Sequence, residues 1–143
     1  MTVLEIERTF AAPIEQVFEF VTQPEHLMKW WGPEGTNVSN GNLDLTSTGA
    51  WDSTMKSQQG NEYKVSGQVT QVKRPNLVAF TWGWHDENDA RGHESHVMIE
   101  LQADGDDRTR FRLTHQKLVD EESVENHNIG WTSSIKKLER CFE

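Results

Sequence analysis

"AAPIEQVFEFVTQPEHLMKWWGPEG", Ala11 to Gly35, reads as two short helices in quick succession, and the rest of the fold is built outward from it. Pro13 suits the first turn of a helix, where its missing N–H costs nothing. Ile14, Val17, Phe18 and Val21 then recur at the i, i+3, i+4, i+7 spacing of a buried stripe. Pro24 stops this helix and opens a second, for which Thr22 and Glu25 have the spacing of a capping box. Leu27, Trp30 and Trp31 form its apolar side, and Gly32-Pro33 ends it. Neighbouring helical residues point about 100° apart, so one apolar face cannot hold both indoles in the same way. The expectation is one tryptophan packed as core and one walling the mouth of a cavity.

Upstream, "VLEIERTF" alternates as a strand, with Leu4, Ile6, Arg8 and Phe10 on one face. Arg8 interrupts that apolar face, and either a carboxylate partner or solvent at a sheet edge would resolve it. Downstream, the period changes to two, as strands require. "TNVSNGNLDL" is a weak strand with Gly41 placed for a bulge. Trp51, Ser53 and Met55 share one strand face; Tyr63, Val65, Gly67 and Val69 share the next. Val78, Phe80, Trp82 and Trp84 follow, then Val97, Ile99 and Leu101, then Thr109, Phe111, Leu113 and His115. The segments "QQGN", "KRPN", "HDENDARG" and "DGDD" supply the turns.

From Asp120 to Glu143 the period returns to that of a helix. Asp120 is the N-cap, Glu121 and Glu122 suit the positive end of the dipole, and Lys136, Lys137 and Arg140 suit the negative end. Val124, Asn128, Trp131, Ile135, Leu138 and Phe142 form the stripe that should lie on a sheet. Gly130 in mid-helix costs roughly 1 kcal/mol relative to alanine. It implies either close approach to the sheet or room beside Trp131. The reading is therefore one α+β domain over residues 1–143: a seven-stranded antiparallel sheet curled around a long C-terminal helix, with two short helices after the first strand closing one end.

These segments resemble the family of homologues of the activator of heat shock protein 90 ATPase, in the START/Bet v 1-like (SRPBCC) superfamily. The likeness rests on Ala11–Gly35, on "LVAFTW" after a Pro-Asn turn, on "LTH", and on "HNIGW" in the last helix. They keep their order and approximate spacing over essentially the whole chain. Where many relatives have Gly-Gly before the third-strand tryptophan, this chain has "STGAW". The resemblance implies the helix-grip fold, with a cavity between sheet and long helix that often holds a hydrophobic or aromatic molecule. Superfamily members include lipid and hormone binders, polyketide cyclases and co-chaperone domains, so fold alone does not assign function.

Charge narrows the partners. Fourteen basic residues against 23 acidic ones give a net −9, which repels nucleic-acid phosphates and anionic membranes. The densest basic group, Arg108, Arg110 and Arg112, has period two and reads as a solvated strand face. The N-terminus lacks a basic n-region and a long apolar run, so no signal peptide is expected, and no segment is apolar enough to span a membrane. The single cysteine, Cys141, fits a cytoplasmic location and reads as a helix residue rather than a catalytic thiol. His85, His93 and His96 with Asp86, Glu87 and Asp89 lack metal-ligand spacing and read as a solvated hairpin tip; no metal or cofactor is expected.

The candidate site is the set of large amphipathic residues on inward faces: Trp30, Trp31, Trp51, Tyr63, Trp82, Trp84 and Trp131, with His115 and His127 as polar contacts. Each aromatic either fills core or shapes a pocket. The two histidines are either hydrogen-bonded structural groups, or a ligand anchor or acid/base pair facing each other across the helix–sheet gap. Binding of a small hydrophobic or aromatic molecule is the first reading and a cyclase/aromatase-like enzyme the second. A co-chaperone acting on a heat shock protein 90 ATPase ranks last, because the eukaryotic activator carries a further N-terminal domain for which this length leaves no room. A weak homodimer is left open.

Overall fold

A computed structural model describes residues 2–143. The elements run β1 (Leu4–Phe10), α1 (Ile14–Thr22), α2 (Pro24–Leu27), β2 (Thr36–Asn40), β3 (Gly49–Ser57), β4 (Glu62–Lys73), β5 (Leu77–His85), β6 (Arg91–Ala103), β7 (Thr109–Gln116) and α3 (Glu121–Arg140). The strands form one sheet in the order β1-β7-β6-β5-β4-β3-β2, every neighbouring pair antiparallel. The sheet is curved, with α1 and α2 inserted between its two edge strands in sequence and α3 packed along it. No helix among the described residues is long and apolar enough to cross a membrane.

The period-two faces are the buried faces. Leu4, Ile6 and Phe10 of β1, Val78, Phe80 and Trp82 of β5, Val97, Ile99 and Leu101 of β6, and Phe111 and Leu113 of β7 all join one core. On β1, Arg8 is half-buried and its Nη1 donates to the Glu7 carbonyl at 2.7 Å. This is the edge strand, so the interrupted face reaches solvent there.

Trp51 pairs in register with Gly67 across β3 and β4. The missing side chain lets the backbone of β5 come close: a Cβ on Gly67 would lie 2.0 Å from the Thr81 carbonyl oxygen. That same oxygen accepts the Trp51 indole N–H at 3.2 Å. Gly67→Ala should therefore destabilise the protein by about 1–3 kcal/mol through backbone displacement. Urea denaturation of the variant checks this; unchanged stability would mean the strands relax freely.

Three local expectations are corrected. Thr22 and Glu25 do not form a capping box: Gln23 is the N-cap of α2, with no side-chain bond, and the Thr22 hydroxyl donates back to Phe18 O at 2.7 Å. Thr22 is the last residue of α1, so its own helix offers the nearer acceptor. The irregularity in β2 falls between Val38 and Asn40 rather than at Gly41, which follows it with φ +117°. In α3, Asn128 is exposed and Val124 only partly buried; the positions that face inward are Trp131, Ser134, Ile135 and Leu138. The first two turns of α3 face a cavity on one side and meet the sheet mainly through His127, so the stripe that looks continuous in sequence is fully buried only in its second half.

Candidate functional site

This cavity of about 810 Å³ lies between α3, the ends of β3, β4 and β5, and the Trp31–Thr36 segment. After α2 the backbone N–H groups of Trp30 and Trp31 both bond Leu27 O, at 3.1 and 2.9 Å, so the two residues lie in a turn rather than on a helix face. That turn aims the indoles in different directions. Trp30 is fully buried away from the cavity, and its N–H donates to Phe20 O at 2.8 Å. Trp31, also buried, lines the cavity and donates to Ser53 Oγ at 3.0 Å. Its ring lies within 6 Å of those of Trp30, Trp51, Trp82 and Trp131.

Of the residues singled out in the sequence, Trp31, Tyr63, Trp82, Trp84, His127 and Trp131 line the cavity. Trp30, Trp51 and His115 do not; Trp51 stands behind Trp31 and Trp82 as core. Tyr63 and Trp84 sit at the rim, 47% and 37% exposed. The rim and walls also include Pro33, Thr36, Met55, Val119, Glu122 and Asn126, which the sequence reading missed. For Glu122 and Asn126 the available signal was their i, i+4 spacing, continued by Gly130 on the same side of α3. Pro33 and Thr36 had none, since irregular backbone carries no period. The loop is tied to α3 by the Glu34 carboxylate, which accepts from Arg140 at 2.7 and 2.9 Å, and by Glu34 N–H donating to Ser133 Oγ at 2.8 Å.

The two histidines face each other, with ring centroids 4.8 Å apart, and hydrogen bonding fixes the tautomer of each. His127 Nδ1 lies 2.7 Å from Ser123 O, which only accepts, so Nδ1 carries the proton. Its Nε2 accepts the Trp84 indole N–H at 3.0 Å. His115 has the opposite arrangement: Nδ1 accepts the Trp131 N–H at 3.0 Å, so Nε2 carries the proton and donates to Ser95 Oγ at 2.7 Å. Each imidazole is thus held neutral with both nitrogens engaged. Burial pushes His115 down to about 3, helped by the neighbouring His127 and His96. Burial also lowers His127, against the opposing bond to the Ser123 backbone. The Trp82 N–H, in the cavity wall, has no hydrogen-bond partner among the described residues.

Gly130 lines the cavity, and a Cβ built on it meets nothing within 4 Å. Of the two explanations for a mid-helix glycine, the structure selects room beside Trp131 over close approach to the sheet. Among the described residues, no group of three or more His, Cys, Asp or Glu is placed to hold a metal ion.

A seven-stranded curved antiparallel sheet with a long C-terminal helix and two short helices is the helix-grip fold of the START-like class. Within that class the chain belongs to the family described as Activator of Hsp90 ATPase homolog 1-like protein, whose model matches residues 11–143. It is 47% identical to an AHSA1 protein from Silicibacter pomeroyi, with 96% of this chain and 95% of that one covered and a TM-score of 0.93. A Chromobacterium violaceum protein of known structure shares 21% identity, with 99% and 97% covered and a TM-score of 0.88. A Nitrosomonas europaea protein shares 24%, with 96% and 92% covered and a TM-score of 0.77. The last two likenesses speak for the fold alone. No curated protein matches the chain.

Proposed function

We propose that the protein binds a small hydrophobic or aromatic molecule in the cavity between the sheet and α3, without transforming it. One observation carries this reading. Three of the five exposed large apolar residues among those described, Tyr63, Trp84 and Val119, gather at the cavity rim rather than scattering over the surface. Exposed apolar area collected at the mouth of a concave, indole-walled space is what a ligand site presents. The unpartnered Trp82 donor adds to it: an unmade buried hydrogen bond costs about 1–3 kcal/mol, which a ligand oxygen reaching it would relieve.

Binding is preferred over catalysis because both candidate histidines are occupied. A general base needs a free lone pair within reach of substrate. The lone pair of His127 is taken by Trp84, and His115 lies outside the cavity with both nitrogens bonded.

Native mass spectrometry of freshly purified protein, before and after denaturing extraction, should show an excess mass that extraction releases. Gly130→Leu then tests where that molecule sits. Its side chain projects into the open space beside Trp131, while loss of a mid-helix glycine stabilises α3 by about 1 kcal/mol. The variant should unfold at the same or higher denaturant concentration and lose binding. If it binds as well as the parent, the cavity is not the site.

A further inference from the structure

We propose that the cavity selects an apolar molecule carrying a single positive charge, an aryl- or alkyl-ammonium, over its neutral or anionic counterparts. This rests on the cavity being a ligand site, and goes on to name the head group. Among the described residues lining it there is no Lys or Arg, while Asp120 and Glu122 place carboxylates there. The N-terminus of α3 lies at the same rim, and a helix N-terminus ordinarily favours anions through about half a positive charge. Here that charge is already answered: the Asp120 carboxylate accepts the Ser123 N–H at 2.8 Å, and Glu121 and Glu122 fill the first turn.

The walls point the same way. Trp31, Trp82, Trp84 and Trp131 contribute indoles and Tyr63 a phenol. The negative faces of such rings attract cations, tryptophan most strongly. His127, the one lining group able to become a cation near neutral pH, is held neutral between Trp84 and Ser123 O. Two cations of α3 contact the Trp31–Thr36 loop without lining the cavity: Lys137, 3.5 Å from Pro33 O, and Arg140, paired with Glu34. An anionic ligand would therefore leave water for a site that offers the Trp82 N–H but no basic side chain among its described lining residues, beside the Glu122 carboxylate and inside a chain of net charge −9.

The test uses three probes with one body and different heads: phenylbutyl-trimethylammonium, phenylbutanol and phenylbutyrate, titrated calorimetrically into the whole protein at low and high salt. The ammonium should bind roughly tenfold or more tighter than the carboxylate, with the alcohol between them, and added salt should narrow the gap. Glu122→Gln should weaken the ammonium roughly threefold and leave the alcohol unchanged. If the alcohol binds but the ammonium binds no better than the carboxylate, charge selection is overturned and the cavity reading stands. If none of the three binds, both fall together.

Discussion

Acidification should unfold this protein progressively from pH 6.5 downward, with His115 alone contributing a slope approaching 1.4 kcal/mol per pH unit until about pH 3. The sign follows from proton counting. Above pH 6.5 the imidazole is neutral in both the folded and the unfolded chain and makes no pH-dependent difference. Below it, the unfolded chain takes up a proton that the folded one refuses, because protonation would turn Nδ1 into a donor facing the Trp131 N–H. The loss stops growing near pH 3, where the folded imidazole also titrates. His127, lowered by burial as well, steepens the same limb. His115→Phe separates this effect from the carboxylates that titrate in the same range. It should cost about 1–3 kcal/mol at neutral pH, since the Trp131 N–H loses its acceptor in a fully buried site, and should make the slope between pH 6.5 and 4 shallower by one proton. Urea denaturation of both proteins across this range provides the comparison. Parallel curves would mean His115 is protonated in the native state.

Trp31→Ala should be the most destabilising single truncation in the site, at about 3–5 kcal/mol. The ring stands between the cavity and the core, edge-on to Trp30, Trp51 and Trp131, and its N–H satisfies the buried hydroxyl of Ser53. Truncation opens the cavity floor toward Trp51 and Phe80 and strips one face of contacts from each neighbour. Trp31→Phe keeps most of the ring volume and loses the N–H, and should cost about 1–2 kcal/mol. Trp84→Ala, at the exposed rim, should cost less than either while leaving the His127 lone pair open to solvent or ligand. Denaturation midpoints of the three variants should rank Trp84→Ala above Trp31→Phe above Trp31→Ala. A Trp31→Ala protein as stable as the rim variant would show that the floor collapses without penalty.

The element order and the buried faces were legible in the sequence because each is a short-range property. A period of two along β5, β6 and β7 and a period of 3.6 along α1 can be read from spacing alone. The identity of the large polar-tipped residues on those faces was equally plain, and it marked which side of the sheet carried Trp82, Trp84 and His115. Spacing anticipated one indole in core and one in the cavity wall, but it could not say that Trp31 is the wall residue or that both leave α2 in a turn. Nor could it say that the fully buried positions of α3 begin only at Trp131, while its first turns meet the sheet through His127 and otherwise face a cavity. The pairing of Trp84 with His127 and of Trp131 with His115 spans 43 and 16 residues. Such contacts, and the space left beside Gly130, exist only once the sheet has curled and the helix has docked, because they are set by distances between elements rather than by the order of residues within them.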